Sequence, residues 1–85
     1  MGFTVRKADF PVTHVRPLPE RASVLGLGIS GVAAARYLAQ QGVKVLASDL
    51  GEPADVDAEL VSLGIEVERG KNRILPGSLV VISPG

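Results

Sequence analysis

The chain has 85 residues with zero cysteines, one histidine, and nine basic residues balanced by nine acidic ones. That length allows one domain with a modest core. The missing cysteines exclude a disulfide framework and a thiol nucleophile, the lone histidine argues against a zinc site, and the balanced charge leaves no electrostatic footprint for nucleic acid or an anionic membrane. A hydrophobic content of 46% with only 4% aromatic means a core of Val, Leu, Ile and Ala, as in a parallel sheet covered by helices.

In chain order, residues 1–20 carry Arg6 and Lys7 and then Pro11, Pro17 and Pro19, so they are not a secretory signal. No apolar run approaches the roughly 18 residues of a membrane helix, and a soluble cytoplasmic protein is the expectation. Residues 1–21 are expected to run as an extended segment, with Phe3, Val5, Phe10, Val12 and Val15 available to lie against a domain spanning 22–85. His14 reads as an ordinary surface histidine.

Residues 22–25 are short, apolar and β-capable, as a buried parallel strand should be. They lead into Gly26-Leu27-Gly28-Ile29-Ser30-Gly31. In such a turn the first glycine permits the tight exit from the strand, the second leaves the backbone open to a diphosphate, and the third lets a new helix lie close on the sheet. A helix over about 30–41 follows, with Gly31, Ala34, Ala35, Leu38 and Ala39 on its buried face and Arg36, Gln40 and Gln41 outside. Its N-terminus would offer free N–H groups and the positive dipole end to an anion. Gly42 closes the helix, and 43–48 form the next strand, ending at Asp49. This acid lies 21 positions past Gly28, where a βαβ nucleotide fold places a carboxylate.

The second half repeats the plan. Asp55 is expected to cap a helix running to Leu63, with Val56, Leu60 and Leu63 buried and Gly64 ending it. Asp55, Asp57 and Glu59 read as the acidic first turns of that helix. Residues 65–67 make a third strand, and the joint Leu38-x-x-x-Gly42-Val43-x-Val45 recurs as Leu60-x-x-x-Gly64-Ile65-x-Val67. Two such joints imply two right-handed crossovers in one parallel sheet. Residues 71–75 leave room for about one helical turn, Pro76-Gly77 is a turn, and 79–82 form a fourth strand that breaks at Ser83-Pro84-Gly85. The expected fold is α/β, a Rossmann-like doubly wound sheet of order 3-2-1-4. Its crevice would bring residues 28–30 and 83–85 face to face beside Asp49. A strand that finishes on a turn at the last residue suggests a piece of a longer polypeptide. No phosphate loop, no nucleophile–base pair and no metal-ligand cluster is recognisable, so no catalytic residue and no metal ligand is assigned.

The runs from Val24 through the glycine motif to Leu38, from Val45 to Asp49 and from Leu79 to Gly85 resemble the N-terminal domain of the Mur ligases. The Gly-Leu-Gly-x-Ser-Gly form and the Ser-Pro-Gly ending favour the D-glutamate-adding branch over the alanine-adding one. The resemblance covers residues 22–85. It implies the first domain of a three-domain cytoplasmic ligase of peptidoglycan synthesis, in which ATP phosphorylates the carboxylate of UDP-N-acetylmuramoyl-L-alanine and D-glutamate displaces the phosphate. It implies a UDP-substrate site of Gly28, Ile29, Ser30, Gly31, Asp49, Leu50, Ser83, Pro84 and Gly85. In it the backbone at Ile29 and Ser30 meets the diphosphate, Asp49 the uracil, and Gly85 the nucleotide. ATP, magnesium and D-glutamate would be held by later domains, so this stretch is expected to carry no cofactor and no ligase activity by itself. Members of the family often have a hydroxyl residue and an arginine after the acid. Here Leu50 and Gly51 follow, so part of the uracil clamp must come from backbone or from elsewhere. A second reading is an NAD-binding domain of a dehydrogenase or nucleotide-sensing regulator, with Asp49 on the adenosine ribose. A third is an inert structural or interaction domain.

Overall fold

The computed structural model describes residues 18–83. They form β1 (Arg21–Leu25), α1 (Ile29–Gln40), β2 (Lys44–Asp49), α2 (Val56–Ser62), β3 (Glu66–Arg69) and β4 (Leu79–Ile82). The four strands make one parallel sheet in the order β3-β2-β1-β4, the expected Rossmann-like, doubly wound order. The N-terminal expectations for Phe3, Val5, Phe10, Val12, His14 and Val15 fall outside the described residues, as do Pro84 and Gly85.

Strand alternation sorts the central residues into two faces. Ala22 and Val24 of β1 and Val45 and Ala47 of β2 are all at most 2% exposed and share a core with Val32, Ala35 and Leu38 of α1 and Leu60 of α2. Both crossover helices therefore lie on that face. Small side chains on α1 allow close helix–sheet approach. The buried set on α1 is Gly31, Val32, Ala34, Ala35 and Leu38; Val32 joins the expected stripe, while Ala39 is only partly buried. At its far end α1 closes through Gly42, at φ +87°, and Val43 N–H returns to the Leu38 carbonyl at 3.0 Å.

The opposite face carries Ser23 and Ser48, both fully buried. The segment from β3 to β4 crosses there, and it is irregular between the bridge of Lys71 to Asp49 and the turn at Pro76-Gly77. The single helical turn expected over 71–75 does not form. The connector instead finds acceptors on the sheet: Leu75 N–H donates to Ser23 Oγ at 2.8 Å and Arg73 N–H to Ser48 Oγ at 3.0 Å, while Ser23 and Ser78 hydroxyls bond at 2.8 Å. A helix satisfies its own backbone. An irregular segment over a sheet needs side-chain acceptors, and the two buried serines supply them.

Two further expectations on α2 are corrected. Asp55 already has helical dihedrals, φ −59° and ψ −32°, and makes no side-chain cap, because a capping residue must sit in the extended region. The carboxylate that reaches back belongs to Asp57, which accepts from Ala54 N–H at 3.2 Å. Leu63 is 40% exposed, since the helix ends at Ser62 and Leu63 sits in its closing turn. Leu60 is the one fully buried residue of α2, and Val56, partly buried, packs against the same core.

Candidate functional site

The site is built at the carboxyl ends of β1, β2 and β4. Gly26 leaves β1 with φ +99°, a backbone region that L side chains rarely adopt. Its N–H donates to the Ser48 carbonyl at 2.8 Å, which holds the turn to β2. Gly31 is required by contact. A Cβ there would stand 1.7 Å from the Gly26 carbonyl oxygen and 3.2 Å from the Ser83 Cβ, so the helix could not begin where it does. Gly28 is different. Its backbone is extended, at φ −77° and ψ −166°, and a Cβ there would meet nothing within 4 Å. Nothing inside the described residues requires Gly28 to lack a side chain.

Gly28 is also the N-cap of α1, so no side chain caps that helix, and its first turn contains no acid. The first helical bond runs from Val32 N–H to the Gly28 carbonyl at 2.9 Å. The N–H groups of Ile29, Ser30 and Gly31 thus have no acceptor among the described residues, and the dipole end is uncompensated. Ile29 is 93% exposed. In general, helix N-termini with free N–H groups favour anions.

Asp49, at the tip of β2, is wired into this loop. Its Oδ2 accepts from Leu27 N–H at 2.7 Å and its Oδ1 from Gly51 N–H at 2.6 Å. These backbone donors, with Arg69 as a lesser contribution, hold its carboxyl below the ordinary 3.8, so it is ionised at neutral pH. Each carboxylate oxygen keeps a second lone pair for an external donor.

Arg69, at the end of β3, is the residue that sequence reasoning missed. It stands directly across from Asp49 in the β2–β3 register, and its Nη1 lies 3.5 Å from Asp49 Oδ1. Asp57 grips the same guanidinium twice, from Nη2 at 2.6 Å and Nε at 3.0 Å. That forked contact lowers the Asp57 carboxyl and raises Arg69. Asp57 is therefore an ion-pair partner as well as an acid of the first helical turn. Glu59 likewise pairs with Arg36 at 2.7 Å. The position after the acid is Leu50, and the arginine that lies beside Asp49 comes from the neighbouring strand.

Leu25, Gly26, Asp49, Leu50, Asn72, Ile82 and Ser83 line an open cleft of about 470 Å³, within the range of small-ligand sites. Leu27, Gly28, Ile29, Val32, Arg36 and Val56 line a second groove of about 420 Å³. Leu27 links the two, since its N–H is the one Asp49 holds. Ser83 packs against Gly26 and Gly31, and its Oγ is buried without a hydrogen-bond partner. Of the expected site residues, Asp49, Leu50 and Ser83 share the first cleft, and Gly28 and Ile29 share the second. Ser30 and Gly31 belong to the uncapped first turn of α1. No three His, Cys, Asp or Glu side chains gather into a metal-binding group among the described residues, and no described helix is long and apolar enough to cross a membrane.

The chain was compared with known proteins. Its structure is similar to the HOCl-induced flavoprotein disulfide reductase RclA from Escherichia coli, with a TM-score of 0.70 and 19% identity over 87% of this chain and 23% of that one. It is also similar to the reduced Bacillus anthracis CoADR-RHD, with a TM-score of 0.68 and 16% identity over 79% of this chain and 17% of that one. At these identities the likeness is one of fold. In sequence, the chain is 44% identical over 69 residues to a UDP-N-acetylmuramoylalanine--D-glutamate ligase of Chlorobium limicola, covering 78% of this chain and 15% of the relative. It is 47% identical over 68 residues to the enzyme of the same name from Elusimicrobium minutum, again covering 78% and 15%. The chain thus spans about 15% of the length of these curated relatives. The family model of the Mur ligase MurD-like N-terminal domain matches residues 20–85, which include every strand and both helices, and the chain belongs to that family.

Proposed function

We propose that these residues hold the UDP end of UDP-N-acetylmuramoyl-L-alanine for an ATP-dependent ligase that adds D-glutamate during peptidoglycan synthesis in the cytoplasm. The observation that carries this reading is Gly28: extended, unobstructed, and seated at the uncapped N-terminus of α1. A diphosphate can approach the backbone there and take the N–H groups of Ile29 and Ser30. The names of the relatives supply the choice of UDP-muramoyl substrate.

In this reading the base lies in the cleft of Asp49, Leu50 and Ser83, where Asp49 accepts from the uracil N3–H. Ser83 Oγ, buried and unpaired, donates to a ligand oxygen and so removes the penalty of about 1–3 kcal/mol for an unsatisfied buried hydroxyl. The chemistry itself, phosphoryl transfer from ATP with magnesium and attack by D-glutamate, belongs to further domains of the longer protein, and no residue of this chain is assigned to it.

The test is a side-by-side titration of the chain with UDP and NAD, followed by amide chemical shifts. UDP should move Gly28, Ile29, Ser30 and Asp49, with weak affinity because the muramoyl and peptide parts find no partners here. NAD moving Gly28 and Asp49 while UDP moves neither would favour the dehydrogenase-type reading. ATP with magnesium and D-glutamate should yield no product with this chain alone.

A further inference from the structure

Asp49 and Ser83 leave one polar side chain of the larger cleft without an explanation. Asn72 lines that cleft, and its amide has no intrachain partner among the described residues. Its position is nevertheless fixed from both sides. Gly70 N–H donates to the Asp49 carbonyl at 2.8 Å, Lys71 bridges Asp49, and Arg73 N–H is held by the buried Ser48 hydroxyl at 3.0 Å. The neighbouring side chains turn the other way. Lys71 Nζ lies 3.9 Å from Glu68, and Arg73 reaches Glu66 at 3.4 Å and also bonds Glu68. Along an extended segment alternate side chains point to opposite sides, so with Lys71 and Arg73 both paired to β3 Asn72 is left facing the cleft beside Asp49.

We infer that Asn72 reads the base, donating its amide N–H to the O4 of a uracil whose N3–H is accepted by Asp49; this rests on the reading that the cleft takes a uridine nucleotide. The chemistry needs both groups. A uracil edge presents acceptor, donor, acceptor, whereas a carboxylate can only accept. Asp49 alone would satisfy N3–H and leave O4 facing negative charge. The carboxamide supplies the missing donor, and its own oxygen remains free for water. Cytosine reverses two of the three positions: its N3 lone pair would face the Asp49 carboxylate, which disfavours it.

The experiment measures UDP, CDP and pyrophosphate binding by the chain and by its Asn72→Ala and Asn72→Asp variants, with the melting temperature of each. Asn72 is exposed, so both variants should melt with the parent. Asn72→Ala should weaken UDP by roughly 3- to 10-fold, the span of one net hydrogen bond, with pyrophosphate unchanged. Asn72→Asp, nearly isosteric but without a donor, should weaken UDP further and narrow its preference over CDP. UDP affinity within twofold of the parent in both variants would overturn the role of Asn72 while leaving the uridine site standing. Equal losses for UDP and pyrophosphate would overturn it too, because a base contact cannot act on pyrophosphate. Failure of the parent to bind UDP at all would instead overturn the uridine reading itself.

Discussion

The two helix entrances of this molecule are made by the same crossover and finished in opposite ways. At α2, Asp57 and Glu59 occupy the first turn; Asp57 accepts from Ala54 N–H and grips Arg69. The positive dipole end is neutralised from within. At α1 a glycine holds the cap position, no acid follows in the first turn, and three N–H groups have no acceptor among the described residues. Leaving out a capping side chain and a first-turn charge forgoes on the order of 1 kcal/mol. The 12-residue α1 tolerates that because Gly31, Val32, Ala34, Ala35 and Leu38 pack it onto the sheet. The seven-residue α2, with Leu60 its lone buried residue, depends on its acids. The difference is what the proposed function uses: the entrance that the fold does not complete is the one assigned there to the diphosphate.

The largest effect should come from Gly31→Val. With the first atom of the side chain placed 1.7 Å from the Gly26 carbonyl oxygen, α1 must shift off the loop. A loss of about 3 kcal/mol or more, at or above the usual range for overpacking, is expected in urea unfolding. A midpoint equal to that of Gly28→Val would show that the close approach of helix and loop is not what the glycine serves.

Next comes Asp57→Ala, which strips the fork from a guanidinium that is 13% exposed. It should cost about 1.5–3 kcal/mol, the scale of hydrogen bonds to charged groups, and Asp57→Asn should cost less because one acceptor stays. The same pair sets a pH dependence. Asp49 and Asp57 are both held below the ordinary 3.8, so the unfolded chain binds protons more readily than the folded one. Their stabilisation is full above pH 3.8 and is lost as pH falls through the lower folded values. Urea midpoints between pH 6 and pH 3 should therefore decline in the parent and decline less steeply in Asp57→Asn. A parent midpoint that rises on acidification would contradict the assignment.

The smallest expected change in stability is the sharpest probe of the comparison. Gly28→Asp would give α1 the acid that α2 already has, in a backbone conformation suited to an N-cap. Stability should rise by about 0.3–1 kcal/mol while UDP binding is lost, because the carboxylate takes the N–H groups and repels the diphosphate. Retention of UDP affinity would place the diphosphate elsewhere.

Much of this architecture was legible in the residues. The glycine spacing assigned distinct roles to Gly26 and Gly31, the repeated helix-to-strand joint implied two right-handed crossovers and so the run β3-β2-β1, and the doubly wound plan put β4 on the other side of β1. These are local demands, a positive φ and a contact between successive elements, and a short stretch of sequence carries them. What misled was detail at the ends of α2, where Asp57 and not Asp55 reaches the backbone, and the connector after β3, where a possible turn of helix gave way to hydrogen bonds with Ser23 and Ser48.

Register explains why Arg69 was out of reach. The sequence repeat of 22 positions sets Arg69 against Ala47, whereas the sheet pairs it with Asp49. A slip of two residues preserves the face of the strand, so the apolar pattern reads correctly in either alignment and cannot choose between them. The choice falls to how α2 packs and where it delivers β3. The sequence by itself determined the order of elements, the glycine turn and the acid at the tip of β2. Only the tertiary structure decided which arginine meets that acid, which backbone groups already hold it, and which side chain of the connector faces the cleft. Those pairings span distant parts of the chain, and no local periodicity encodes them.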